Sequence, residues 1–226
     1  MKSMAILTDV SRCIGCEQCV TACQQLNNTG HDAPFRWQRN PSDLSSTRWT
    51  TIQRTEEGRY VRVHCRHCLD PGCAAACPVG ALKVTAEGAV DYDPTICMGC
   101  RYCMIACPFE IPAYEYYDPL TPRVMKCTFC YERVAEEGKL PGCVQICPVE
   151  AITFGRRSDL LNVAHDRIKK NPGKYIDHVY GEKEVGGTSW MYLSAVPFEK
   201  LGFNALPETP MPRLAETIQN SLFNYL

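Results

Sequence analysis

CRHCLDPGCAAACP (residues 65–78) and CMGCRYCMIACP (residues 97–108) decide how this chain is read. They hold eight cysteines in two groups of four, and each group closes on Cys-Pro. Nineteen residues, PVGALKVTAEGAVDYDPTI (78–96), lie between Cys77 and Cys97. This spacer has two β-leaning runs, Leu82 to Thr85 and Ala89 to Tyr92, joined by Ala86, Glu87 and Gly88, and it predicts a hairpin.

Working outward, the other eight cysteines form two more groups with none left over, so the full set is 13/16/19/23, 65/68/73/77, 97/100/103/107 and 127/130/143/147. A disulfide framework has no need of four tetrads that open with C-x2-C, whereas a cubane iron–sulfur cluster needs four thiolates. The group at 97–107 matches the bacterial ferredoxin run C-x2-C-x2-C-x3-C-P at every spacing, and in that run the fourth cysteine serves the other cluster. The group at 65–77 differs only in having four residues between Cys68 and Cys73. Four-thiolate zinc sites also use C-x2-C pairs. They do not call for three closely spaced cysteines plus a fourth lent by a distant group.

The chain has 226 residues, enough for one large domain or two small ones. Its formal charge of −1 counts every cysteine as neutral. Sixteen thiolates and four oxidised cubane cores would take it to about −9. Arg12, Arg62, Arg66, Arg101, Arg123 and Lys126 lie near the ligands in sequence and would offset part of this; ordinary solvated surface is the plainer expectation for each. A near-neutral pI and the lack of a basic run exclude nucleic acid as a partner. MKSMAILTDVSRC shows neither a secretory signal nor a twin-arginine pair, and no apolar run reaches bilayer length. The expected location is therefore cytoplasmic, at most peripheral at the inner membrane; the alternative is periplasmic, by co-export with a signal-bearing partner.

Met4 to Leu7 predicts a strand before the first group, and helix is expected to continue past Cys23, where Gln24 replaces the closing proline. In the gap that follows, Trp37 and Trp49 are expected to cover a core or a cluster. RWTTIQR and RYVRVHC alternate around Thr55–Gly58 and predict a second hairpin. His64 and His67 flank ligand cysteines, but four thiolates per group leave them no vacancy. Tyr114, Tyr116 and Tyr117 are expected over the cluster region, and VAEEGK as a short helix ending at Gly138. Beyond the last ligand the pattern predicts a strand at Ala151–Phe154, then a helix capped by Ser158 and running to Lys170, with Leu160, Val163, Ala164 and Ile168 on one face. A strand at Trp190–Leu193 lies in what otherwise reads as an extended arm. The chain then closes with a helix carrying Leu214, Ile218, Leu222 and Tyr225 on one stripe.

Groups one and three share C-(Ile/Met)-Gly-C-x2-C-x2-Ala-C, while groups two and four share Pro-Gly-Cys-x3-Cys-Pro-Val. The order odd, even, odd, even is that of a duplicated two-cluster unit. Two pairings are open: one with two and three with four, or two with three nested inside one with four. The hairpin spacer makes groups two and three a standard module and favours nesting. Lending of the fourth cysteine then assigns Cys13, Cys16, Cys19 and Cys147 to one cluster and Cys127, Cys130, Cys143 and Cys23 to a second. Cys65, Cys68, Cys73 and Cys107 would hold a third, and Cys97, Cys100, Cys103 and Cys77 a fourth. The fold expected is α+β, with residues 1–63 and 108–173 as an outer ferredoxin-like module carrying the hairpin insert. Residues 64–107 form the inserted module, and 174–226 an extended C-terminal arm and terminal helix that docks on a partner or on the domain.

These motifs resemble the four-cluster, ferredoxin-like iron–sulfur (beta) subunits of formate dehydrogenases, other molybdopterin oxidoreductases and membrane-linked uptake [NiFe] hydrogenases. The resemblance covers nearly the whole chain, and VYGEKEVGGTSWMYLSAVPFEKLGF (179–203) is similar to the formate dehydrogenase and hydrogenase branch. It implies four [4Fe-4S] clusters in a line, since every position that some relatives alter to hold a [3Fe-4S] cluster is cysteine here. It also implies a non-catalytic electron-transfer subunit. A molybdenum- or tungsten-pterin or [NiFe] subunit would be its catalytic partner, and a membrane quinone-reactive subunit or a soluble acceptor its second redox partner. A free polyferredoxin is the alternative, and a zinc-stapled assembly module a more distant one. Many relatives in that branch carry an export signal and a C-terminal membrane helix; neither is read in this sequence, which shifts the expectation toward a soluble complex.

Overall fold

The computed structural model describes residues 3–29, 44–115 and 123–212. Within them the elements run β1 (Met4–Asp9), α1 (Gln18–Leu26), β2 (Thr50–Arg54), β3 (Tyr60–His64), α2 (Gly72–Ala75), β4 (Leu82–Val84), β5 (Val90–Tyr92) and α3 (Tyr102–Ile105). They continue with β6 (Ala113–Glu115), β7 (Arg123–Met125), α4 (Tyr131–Ala135), α5 (Gly142–Gln145), β8 (Ile152–Arg156), α6 (Arg157–Lys170) and β9 (Trp190–Leu193).

β1 is the middle of a three-stranded sheet, antiparallel to β8 and parallel to β9. Alternate side chains of a strand face opposite ways. Ala5 and Leu7 of β1, with Met191 and Leu193 of β9, pack on Leu160 and Ala164 of α6. Ile6 of β1, with Trp190 and Tyr192 of β9, points to the other side, into the core that contains the cysteines. Trp190 is 1% exposed, and its Nε1–H donates to Thr8 Oγ1 at 2.8 Å. Full burial of each such apolar side chain contributes about 1.5–3 kcal/mol.

Three separate antiparallel pairs complete the strands: β2–β3, β4–β5 and β6–β7. The first two are the hairpins expected from alternation, with Thr50 opposite His64 and Leu82 opposite Tyr92. The strand at the N-terminus and the helix over Gln24–Leu26 also lie where the sequence put them.

Two expectations are corrected. Residues 174–203 are not an extended arm: Val179, Tyr180, Val185, Phe198, Leu201 and Phe203 are buried, and β9 completes the main sheet. The backbone N–H groups of Ser189 and Trp190 donate to the carbonyls of His67 and Arg66, so this return segment is tied to the second cysteine group. Ser158 does not cap α6 either; it lies one residue inside, its hydroxyl donating to Asp159, while Arg156 occupies the cap position without a side-chain bond. Strand β8 runs directly into the helix there, leaving no loop residue to serve as a cap. On α6, Leu160 and Ala164 are buried but Val163 is 39% exposed. Trp37, Tyr116, Tyr117, Leu214, Ile218, Leu222 and Tyr225 lie outside the described residues.

The sequence repeat has a packing cause. α2 packs on α3, and α5 packs on α1. The Pro-Gly-Cys glycines sit at these contacts: a Cβ on Gly72 would stand 2.7 Å from the carbonyl oxygen of Ala106, and one on Gly142 would strike Leu26. Backbone cannot step aside as a flexible side chain can. Gly72→Ala is expected to cost about 1–3 kcal/mol. The melting temperature should fall by about 2–4 °C per kcal/mol in a chain of this size. Gly155→Ala, whose methyl would meet only Leu160 at 3.6 Å, is the control. Equal melting temperatures for the two variants would refute the close-approach account.

Candidate metal centre

Each C-x2-C opening turns through a left-handed residue just before its second cysteine. Gly15, His67, Gly99 and Phe129 have φ of 72°, 49°, 71° and 64°. Glycine enters this region freely, whereas His67 and Phe129 adopt it at a cost. A second left-handed residue follows each Cys-Pro, at Gly80, Glu110 and Glu150. These bends turn amides toward sulfur. Ala81 N–H donates to Cys77 Sγ at 3.2 Å, Ala151 N–H to Cys147 Sγ at 3.3 Å and Phe129 N–H to Cys127 Sγ at 3.4 Å. Such bonds favour the thiolate over the thiol.

All sixteen cysteines are free of disulfides. Cys13, Cys16, Cys19 and Cys147 line a single cavity, whose walls also include Ile14, Ile52, Val149 and Arg62. Cys23 is acted on by Cys143 and Cys130, and Cys127 by Cys23 and Cys130. Cys68 and Cys73 each feel Cys65 and Cys107. Cys103 feels Cys100, Cys97 and Cys77. Cysteines far apart in sequence thus lie near one another: Cys147 with Cys13, Cys16 and Cys19, Cys23 with Cys130 and Cys143, Cys107 with Cys65, and Cys77 with Cys103. Cys19 also feels the charge of Cys143, Cys127 that of Cys65, and Cys73 that of Cys103.

Burial dominates the chemistry of these thiols. It pushes Cys23 and Cys73 up to about 12, and Cys103 and Cys107 to about 11. Sulfurs this reluctant to ionise alone need a strong positive charge among them before they serve as thiolates.

Three cations do lie close by. Arg62, Arg66 and Lys126 are 2%, 6% and 4% exposed, which corrects the expectation of solvated surface. Arg62 donates from Nε to Thr50 Oγ1 at 2.7 Å and stacks 4.7 Å over the Trp190 ring. Arg66 donates to Tyr192 Oη and lies over the rings of Tyr192 and Phe203. Lys126 donates to the carbonyl oxygens of Val90 and Cys127. Burial opposes the charge on Arg62, but the nearby sulfurs of Cys143, Cys19, Cys127 and Cys23 outweigh it and favour the protonated guanidinium. Burial pulls Arg66 down to about 10, which leaves it cationic at neutral pH. A sequence signal existed for Arg62: it shares a face of β3 with His64, and the strand runs straight into Cys65.

His64 and His67 are fully buried core residues held neutral, by burial first and then by neighbouring cations. His64 donates from Nδ1 to the Cys65 carbonyl at 2.7 Å, and its Nε2 accepts from Tyr192 Oη–H at 2.8 Å. His67 Nδ1 accepts from Val90 N–H at 2.9 Å, so its proton sits on Nε2. Trp49 is half-buried and its Nε1–H donates to the Ser46 carbonyl, while Tyr114 is buried with Cys73 and Cys103.

The residues fit an iron–sulfur cluster. Arg62 Nη1, Arg66 Nε and His67 Nε2 are buried donors with no protein partner, and all stand beside ligand loops, where acceptor sulfur would satisfy them. Among the described residues no three His, Cys, Asp or Glu side chains are arranged to hold a single metal ion. Four thiolates on one zinc stand about 3.8 Å apart, from a tetrahedral Zn–S bond of about 2.3 Å. A cubane carries its ligands on four corner irons and spreads them wider.

The chain matches 4Fe-4S dicluster domains at residues 12–81 and at residues 57–157. It is 50% identical over 213 residues to a protein of Nitratidesulfovibrio vulgaris, covering 89% of this chain and 57% of that one. It therefore spans little more than half of that relative. It is 35% identical over 259 residues to the hydrogenase-2 operon protein HybA of Escherichia coli, covering 98% of this chain and 79% of HybA. It is 38% identical over 221 residues to the iron–sulfur subunit of the nitrate-inducible formate dehydrogenase of Escherichia coli, covering 92% and 73%. On its cysteine sets, its two matching domains and these similarities, the chain belongs to the 4Fe-4S dicluster family of oxidoreductase iron–sulfur electron-transfer subunits.

Proposed function

We propose that the chain relays single electrons between a catalytic subunit and a second redox partner through four [4Fe-4S] clusters. Their ligands are Cys13, Cys16, Cys19 and Cys147; Cys127, Cys130, Cys143 and Cys23; Cys65, Cys68, Cys73 and Cys107; and Cys97, Cys100, Cys103 and Cys77. The observation that carries this reading is the cavity shared by Cys147 and the three cysteines at 13–19, which are far apart in sequence. Each cluster, when bound, takes up and returns one electron at a time. The chain contributes the spacing. The electrostatic influence of Cys143 on Cys19, of Cys65 on Cys127 and of Cys103 on Cys73 supports a row in the order the sets are named above. The row implies nesting, with the module of groups two and three at one end and that of groups one and four at the other.

Both ends of the row offer apolar surface. Exposed Cys16 lies beside Ile14 at one end, and Met98, Tyr102 and Ile105 are exposed beside Cys97 and Cys103 at the other. Exposed clusters of this kind mark docking faces, so one end would meet the catalytic subunit and the other the second partner. The names of the relatives support a formate dehydrogenase or a hydrogenase as the catalytic partner; its subunit would carry a molybdenum- or tungsten-pterin or a [NiFe] centre, as the motif resemblance implies. A membrane quinone-reactive subunit or a soluble acceptor would be the other. No helix among the described residues is long and apolar enough to cross a membrane. The test is metal analysis of the anaerobically purified chain. About sixteen irons per chain and four one-electron reductions are expected. About eight irons, or zinc in place of iron, would overturn the reading.

A further inference from the structure

We propose that the buried guanidinium of Arg62 sets the reduction potentials of the two clusters it lies between, those of Cys13/Cys16/Cys19/Cys147 and of Cys23/Cys127/Cys130/Cys143. The inference rests on the four-cluster reading above and adds a residue that ligates nothing.

Arg62 lines the cavity of the first set together with all four of its cysteines. It also acts on Cys23, Cys127 and Cys143 of the second. One cation is thus shared by two neighbouring sites. It cannot swing away: Nε is held by Thr50, and the guanidinium lies on Trp190. Nη1 is left without a protein partner, which frees one donor for sulfur. Arg66 and Lys126 are the other buried cations by the cysteines, but their neighbours are Cys65, Cys68, Cys73 and Cys107 of the third set. The first two sites therefore share Arg62, and the third has Arg66 and Lys126.

The sign follows from charge counting. A cubane with its four thiolates passes from about −2 to about −3 when it takes an electron. A fixed positive charge in a water-poor site stabilises the reduced form more than the oxidised one, which raises the potential. Because both sites feel the same cation, the two potentials are raised together, and electrons pass between them without a steep step.

The test is a spectroscopically monitored redox titration of the full chain, wild type against Arg62→Gln and Arg62→Lys. In Arg62→Gln, two of the four potentials should fall while the other two hold. At the wild-type midpoint the ratio of reduced to oxidised cluster should drop at least tenfold at each affected site, about 59 mV for a one-electron couple. Arg62→Lys keeps the charge and should hold all four ratios within threefold of wild type. Unchanged potentials in Arg62→Gln, or equal shifts of all four, would overturn the proposal while leaving the electron relay standing. If Arg62→Gln loses iron, Arg62→Lys decides: full iron with potentials held supports the proposal. Full iron with either potential fallen tenfold, or loss of iron here too, overturns it. A wild-type chain without four reducible clusters would overturn the relay reading itself.

Discussion

Cys107→Ser is expected to remove or degrade the cluster of Cys65, Cys68 and Cys73, and to spare that of Cys97, Cys100 and Cys103. In sequence Cys107 belongs to the latter group, four residues beyond Cys103. In space its sulfur is acted on by Cys65, and Cys68 and Cys73 both feel it. Cys103 instead has Cys77 as its distant neighbour. The serine hydroxyl is far less acidic than a thiol and a poor ligand for iron. Iron content should fall from about sixteen per chain toward about twelve, and one of four paramagnetic signals should vanish. Cys77→Ser should do the reverse and strike the Cys97, Cys100, Cys103 site. Loss of that latter cluster in Cys107→Ser would refute crossed ligation and the nested order with it.

Stripping the iron should unfold the chain. The cluster-free interior would hold Arg62, Arg66 and Lys126 with their anionic surroundings gone, because burial keeps the free thiols protonated at neutral pH. An uncompensated buried charge costs about 3–5 kcal/mol. Thr50, Tyr192 and the Val90 carbonyl satisfy part of each cation, so the lower end of that range applies. Even so, two or three such charges consume most of the roughly 5–15 kcal/mol that holds a typical domain together. Anaerobic oxidation and chelation should abolish the near-ultraviolet circular dichroism and the cooperative melt. Reloading should release protons and proceed better as pH rises, since each ligand has to ionise. A stripped chain that melts within a few degrees of the loaded one would show that the protein core carries the fold unaided.

What could be read in the sequence was what is local. Cysteine spacing, the two hairpins and the strand at Trp190–Leu193 are each specified within a dozen residues or so, and they appear in the structure where expected. What could not be read depends on partners far along the chain. The strand at Trp190–Leu193 was legible, but the residues around it read as an extended arm because the strand's partner, β1, begins at Met4. Arg62 and Arg66 looked like surface because side-chain polarity is the usual guide to exposure. Here the solvent for their charge is a group of sulfurs drawn from both ends of the chain, and no window along the sequence displays that. His67 was read only as a neighbour of the ligand cysteines. Its left-handed backbone and its bond to Val90 belong to tertiary structure alone.

The position of β1 between β8 and β9 bears on how such a chain is born. The strand made first is hydrogen-bonded on one edge to residues 152–156 and on the other to residues 190–193. A ribosome emitting this protein releases its central strand early and supplies neither flank until most of the remainder has emerged. The inner cysteine groups, only a short hairpin apart, can gather their inorganic cargo meanwhile. The outer groups wait until Cys147 has emerged, and through that interval β1 stands without either flank.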